Sequence, residues 1–324
     1  MGHSWRHGAG IAAALLLGVV LGAHAGQAAS KIRVGQPQAG TFQFVPLEVG
    51  NQTGIFKQHG LEVEITSFGG GPRVQQALTA GSIDIAVGSG PELAFIVKGA
   101  PEIGIAAIAD APYSVVLAVL KDSPIKVADD LEGRTVSVSS KGSLTDWLAR
   151  ELIRQQGWPA DGMKVAPLGT TSAQAAALKT RQIDGMIVEV NAGYRLEEDG
   201  SGRILVQFGE RLKVFHIYVL YAHKEFAAKQ PDVVRAFLAG WFATIAWMHA
   251  NRDRTIDIVR RSAEVSPAIA TRGYDELMGM FNRTGRFDPK ALAVLSRSFV
   301  EMGMLPAEPD VASLVTEAFL PAAR

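Results

Sequence analysis

Two stretches one hundred residues apart carry the same pattern, and this constrains the fold more than any other feature of the chain. Residues 77–87 read ALTAGSIDIAV and residues 177–187 read ALKTRQIDGMI, so Ala77, Leu78, Ile83 and Asp84 return as Ala177, Leu178, Ile183 and Asp184. In each copy a helical stretch ends, the chain turns beside an acidic residue, and a short apolar run follows. That is the second half of a βαβ unit, the element from which parallel sheets are built. A repeat this long that occurs twice is not a solenoid. It predicts an α/β fold with two related lobes and directs attention to the space between them.

The flanking patterns agree. Residues 31–35 and 61–65 alternate apolar and polar side chains as strands do, and Gly60 sits where a helix would end. Further strands are expected at 83–87, 103–108, 114–120, 135–139, 164–168, 186–190, 203–208 and 214–221. Beyond Gln230 only helical periodicity remains, over 231–262, 267–283 and 289–304, each opening near a proline. If this helical tail packs on the first lobe, the chain crosses between lobes twice, near 114–120 and 214–221. The expected organisation is residues 30–114 with 219–324 as lobe one and 115–218 as lobe two.

Residues 1–29 combine Arg6, the apolar run 11–21 and small residues at Ala23, Ala25, Ala28 and Ala29. Such a series is expected to be a cleaved secretory signal peptide, cut after Ala25 or Ala29. The apolar run is short for a membrane span of ~20 residues. With no cysteine in its 324 residues, the protein would rely on its cores without disulfides. A soluble, periplasmic monomer is the expectation. Acidic and basic residues balance at 32 each with no basic stripe, so no nucleic-acid partner is expected.

In open parallel sheets, ligands bind beyond the carboxyl ends of strands, where helix N-termini present unpaired N–H groups. Small or hydroxyl residues occupy these positions throughout: Gly40, Thr41 and Phe42 after the first strand, Gly70 after the second, Ser89 and Gly90 after the third. In the second lobe, Ser143 and Thr171 precede helices, with Asp146 and Gln174 at capping-box spacing. Each hydroxyl alone reads first as a helix cap, and the convergence of two lobes on one cleft raises its reading as a ligand contact. Arg73 and Lys141 are the cations best placed to assist an anion, with solvated surface charge the other reading of each, stronger for Lys141; Tyr113 is an aromatic wall, and Glu189 and His216 are polar groups at the ends of apolar runs. Among catalytic and cofactor patterns, the nucleophile elbow, the Walker loop and zinc-ligand spacing are all missing, and GSGPEL at 88–93 lacks the last glycine of a dinucleotide fingerprint. The pattern is that of a binder without a metal or cofactor, not an enzyme.

Taken in order, residues 54–63 (GIFKQHGLEV), 77–84 (ALTAGSID), 128–136 (ADDLEGRTV), 142–143 and 183–184 resemble the periplasmic substrate-binding proteins of ABC importers in the nitrate, taurine and aliphatic-sulfonate group, which includes thiamine-precursor binders. The resemblance implies a hinged type II periplasmic binding protein fold, and delivery of a small-molecule ligand to an ABC permease in the inner membrane. By position it assigns ligand loops to Gly40, Thr41, Phe42, Gly70, Ser89, Gly90, Tyr113, Ser143 and Thr171. Many members carry an aromatic residue and a proline after the second repeat strand, whereas this chain has Val188-Glu189-Val190-Asn191-Ala192. The expected ligand is small and polar, anionic or zwitterionic, of the sulfonate, nitrate or taurine kind. A carboxylate facing the cleft would favour an amine or a heterocyclic N–H donor, so a pyrimidine or other heterocycle is the alternative. An enzyme or a sensory subunit on the same fold are further alternatives.

Overall fold

Ser30–Gln36 shows why the chain begins as it does: Ile32 and Val34 are fully buried while Lys31 and Arg33 reach solvent, the period-two alternation of a strand. This is β1 in a computed structural model that describes residues 1–2 and 29–322. The expected signal peptide therefore lies, apart from Met1, Gly2 and Ala29, outside the described residues.

Ten strands form two five-stranded sheets of matching plan. The first contains β1, β2 (Leu61–Ser67), β3 (Ile85–Ser89), β4 (Glu102–Ala109) and β10 (Tyr218–His223), in the order β2-β1-β3-β10-β4. The second contains β5 (Val115–Leu120), β6 (Thr135–Val138), β7 (Lys164–Pro167), β8 (Gly185–Glu189) and β9 (Gly202–Gln207), in the order β7-β6-β8-β5-β9. In each, four strands run in one direction and the fifth, β10 or β5, is inserted antiparallel to both of its neighbours. This is the type II periplasmic binding protein architecture. The chain leaves the first sheet through residues 110–114 and returns through 208–217.

Helices follow the strands: α1 (Val45–Gln52), α2 (Ile55–Gln58), α3 (Gly71–Thr79) and α4 (Leu93–Val97) accompany the first sheet. With the second come α5 (Leu144–Gln155), α6 (Thr171–Lys179), α7 (Val190–Glu198) and α8 (Phe208–Arg211). After β10 come α9 (Lys224–Lys229), α10 (Pro231–Ala250), α11 (Arg252–Ser262), α12 (Pro267–Leu277) and α13 (Pro289–Glu301). The long helix α10 buries Val234, Phe237, Leu238, Trp241, Ile245 and Met248, a 3.6-period stripe packed on α1 and α2. The first tail region splits at Asn251, and the second helix stops at Leu277. Its continuation, Phe281, pairs instead with Ala109 of β4.

The last expected strand starts later than its apolar run. Residues 214–217 are not in the sheet, because Phe215 and Ile217 donate their N–H groups to Asp110 and Ala109 and tie the two crossing segments together. Between them His216 is fully buried, with Nδ1 at 2.8 Å from Asp110 and Nε2 accepting the Asp288 N–H at 2.8 Å.

The repeated aspartates do equivalent work with different reinforcement. The Asp84 N–H donates to the Arg33 carbonyl, and its carboxylate accepts the Arg33 N–H at 2.9 Å and the Arg33 guanidinium at 2.6 and 3.0 Å. Asp184 accepts the Thr135 N–H at 2.9 Å, but Arg134 stands 3.9 Å away. Each fixes the start of a repeat strand beside the central parallel strand. Charge-assisted bonds are the stronger kind. Asp84→Ala is therefore expected to lower unfolding free energy by about 2 kcal/mol and Asp184→Ala by about 1 kcal/mol. Urea denaturation of the two variants checks this, and an equal or reversed order would refute it.

Candidate functional site

Parallel strands of both sheets end at the same place, and the helices that follow them begin there. Two connected spaces result: an inner chamber of about 50 Å³, and an outer one of about 340 Å³. They share Pro37, Gln38, Thr171 and Glu189. The inner chamber has room for a few water-sized groups, at ~10–15 Å³ each.

On the first-sheet side the inner chamber is acidic. The 3₁₀ turn Gly90–Glu92 points Glu92 back, so that its carboxylate accepts the Ser89 N–H at 3.0 Å and the Gln75 amide at 2.8 Å. Room for it comes from two glycines. A Cβ on Gly71 would stand 1.7 Å from the Glu92 carboxylate, and one on Gly88 2.3 Å. Burial pushes the Glu92 carboxyl above its ordinary range, against the pull of those hydrogen bonds.

Glu189 ends β8 and lines both chambers. Its Oε1 accepts the Tyr218 hydroxyl at 3.4 Å, and Oε2 is shielded from solvent with no hydrogen-bond partner among the described residues. Desolvation raises its pKa to about 8; Gln43 and Tyr218 pull weakly the other way, although the Gln43 amide nitrogen completes no well-aligned bond. Tyr218 also shares a hydrogen bond of 3.1 Å with Ser114 and packs edge-on against Phe44. Ser89 Oγ is likewise buried and without a partner among the described residues.

The opposite wall is a cluster of hydroxyls. Ser139, Ser143 and Thr145 stand 3.0 Å from one another at the N-terminus of α5. Ser143 caps that helix through the Asp146 N–H at 3.3 Å, but the return bond of a capping box is displaced by one residue, since Asp146 accepts the Gly142 N–H and the Ser143 N–H goes to the Ser140 carbonyl. For α6 the expectation is corrected by one residue. Thr170 is the cap, its hydroxyl accepting the Ala173 N–H. Thr171 is thereby free of capping, and its hydroxyl reaches across to Gln38 at 3.3 Å.

Of the expected site residues, Gly70, Ser89 and Ser143 line the inner chamber, Gly40 and Thr41 the outer one, and Thr171 and Glu189 both. Five stand elsewhere. Phe42 is core, packed on Tyr274 and Phe281. Arg73 is exposed on α3 and absent from either lining. Gly90 is pressed against the His216 carbonyl, 2.1 Å from where a Cβ would be. Tyr113 packs on Gly209 and under Lys213, and His216 is enclosed by Asp110 and Asp288. Sequence reasoning missed Glu92 and Tyr218. The Ser89-to-Glu92 spacing, that of a capping box, was the signal for the first. The described lining of the inner chamber includes two carboxylates and no cation. In the outer chamber Arg195 is the cation, bonded to the carbonyls of Ala263 and Glu264.

A carboxyl whose pKa rises on folding destabilises the fold once the unfolded chain ionises. For Glu189 that contribution is harmless below about pH 4.5 and grows until about pH 8. Glu189→Gln is therefore expected to gain stability over the parent as pH rises from 5 to 8, by a few kcal/mol at most, since each unit is worth about 1.4 kcal/mol. Thermal or urea unfolding across that range measures it; parallel stability curves would contradict the placement of Glu189.

The sequence profile of the family described as NMT1/THI5 like matches residues 41–255. A candidate aliphatic sulfonates-binding protein of Escherichia coli (strain K12) is 25% identical over 248 residues, 69% of this chain and 74% of that protein. Among solved structures, the alkanesulfonate-binding protein SsuA from Xanthomonas axonopodis pv. citri, bound to MOPS, superposes with a TM-score of 0.76 at 19% identity, covering 88% of this chain and 98% of that one. The desulfurization enzyme DSZB superposes at 0.65 with 16% identity, over 89% and 97% of the two chains. At these identities the structures show a shared fold.

Proposed function

The chain belongs to the NMT1/THI5-like family, and on that premise we propose that it is the exported solute-binding component of an ABC import system, one that captures a small molecule carrying N–H donors. The two buried carboxylates of the inner chamber carry this reading. Ionised with no cation in the described lining, each is costly to bury, Glu189 most of all because its Oε2 has no hydrogen-bond donor among the described residues. A ligand ammonium or heterocyclic N–H would supply the missing partner for Glu189 Oε2 and restore the carboxylate. The facing hydroxyls of Ser139, Ser143 and Thr145, at a helix N-terminus, suit an acceptor or anionic group on the same ligand. A zwitterion or an amino-substituted heterocycle satisfies both walls. A plain sulfonate or nitrate would meet Glu92 and Glu189 without a donor, and Arg73 stands outside the lining.

Binding without turnover is the favoured role, because the Ser139, Ser143 and Thr145 hydroxyls bond to one another and to the start of α5 and none of them to a general base. Capture would take place between lobes comprising residues 30–114 with 219–324 and 115–218, joined by the two crossing segments. The likeness to sulfonate-binding proteins and the signal-like N-terminus support delivery to a permease from the periplasm.

Isothermal titration with taurine, aminopyrimidines, methanesulfonate and nitrate tests the ligand class. Saturable binding is expected for a compound with N–H donors, and at least tenfold weaker binding for those without. Affinity should rise between pH 6 and 8 with release of a proton to the buffer, and Glu189→Gln should abolish that rise. Nitrate or methanesulfonate binding as tightly as the amines would overturn the reading.

A further inference from the structure

A separate cavity of about 450 Å³ lies where the returning segment 208–217 runs between α5 and α13. Four cations line it: Arg154 from α5, Arg211 and Lys213 from the returning segment, and Arg297 from α13. Two carboxylates, Glu151 and Glu301, share the lining. Arg154 is committed to them, with both Glu151 oxygens at 2.8 Å and Glu301 at 3.6 Å. Lys213 lies against Tyr113, its Nζ 3.2 Å from the phenol oxygen. Neither Arg211 nor Arg297 has a carboxylate within 4.0 Å among the described residues.

An excess of two positive charges gathered in one hollow is unfavourable by itself, and the chain as a whole balances 32 against 32. Arginine forks match the oxygens of a tetrahedral or planar oxyanion in pairs. The volume is that of a small-molecule site. Beneath the cavity, Trp147 of α5 stacks on Phe215 at 4.3 Å and donates to Ser298 of α13 at 3.1 Å. Ser298 itself lines the space.

We propose that this cavity is a second ligand site, for a small dianionic oxyanion such as phosphate or a phosphate monoester. An anion held there grips an element of the second sheet's half, the returning segment and a helix of the tail at once. Its occupation favours the arrangement in which α5 and α13 face each other, and by linkage it couples to the cleft.

Inorganic phosphate and glycerol 3-phosphate, each titrated calorimetrically at constant ionic strength against a chloride control, test this and separate the free ion from the ester. Saturable binding of one or both is expected, with a rise in melting temperature. In the double variant Arg211→Gln/Arg297→Gln, whose substituted side chains are exposed, binding should weaken at least tenfold and the thermal shift disappear. No saturable binding beyond the chloride control, or equal binding by the double variant, overturns the proposal.

Discussion

The insertion of β10 between β3 and β4 is the interaction on which the remaining geometry depends. These two strands are consecutive in sequence yet do not touch; the gap between them is filled by a strand that arrives more than a hundred residues later. With both of its edges paired, β10 completes the first sheet's backbone hydrogen bonding. Tyr218 opens this strand opposite Ser89 on one side and Ala109 on the other. Its hydroxyl is thereby delivered to Glu189 of the other sheet. The Tyr221 hydroxyl bonds the Ser89 carbonyl at 2.6 Å from the same strand. One strand thus holds the first sheet together and furnishes a wall of the chamber.

Around that strand the protein tolerates buried acid. Glu92 and Glu189 face the chamber, and Glu102, fully buried with one oxygen on Thr79 at 2.7 Å, is pushed up to about 7 by its burial. Desolvated carboxyls with open valences oppose folding, and natural sequences keep such groups where function needs them. Gly71 and Gly88 are part of the same design, since any side chain at either would occupy the volume of the Glu92 carboxylate. The acid is built into the packing and not merely placed on a loop.

Much of this architecture is legible in the sequence. Alternation, helix stops at glycine, the Ser143 cap and the paired repeat all arise from interactions within a few residues, and the patterns of β1, β2 and α5 display them directly. Roles that depend on a one-residue boundary are less secure. Shifting the α6 cap from Thr171 to Thr170 turns Thr171 from a structural hydroxyl into a bridge to Gln38. Arg73, which follows three glycines and a proline, reads either as an anion contact or as a solvated surface charge, and its position on α3 faces solvent. Glu92, which the sequence reading passed over, accepts the Ser89 N–H and is also an acid of the chamber.

By itself the sequence determined that there are two related α/β halves, which strands and helices make them, and that small and hydroxyl residues mark the strand ends. Those properties are local or periodic, so a linear chain displays them. The tertiary structure alone decided the sign of the site. Glu92, Glu189 and Tyr218 come from the turn after β3, the end of β8 and the start of β10, far apart in sequence, and only the closing of two sheets on one another desolvates them together. Burial is a property of the assembled neighbourhood, and it is burial that turns three ordinary side chains into an acidic, desolvated chamber wall.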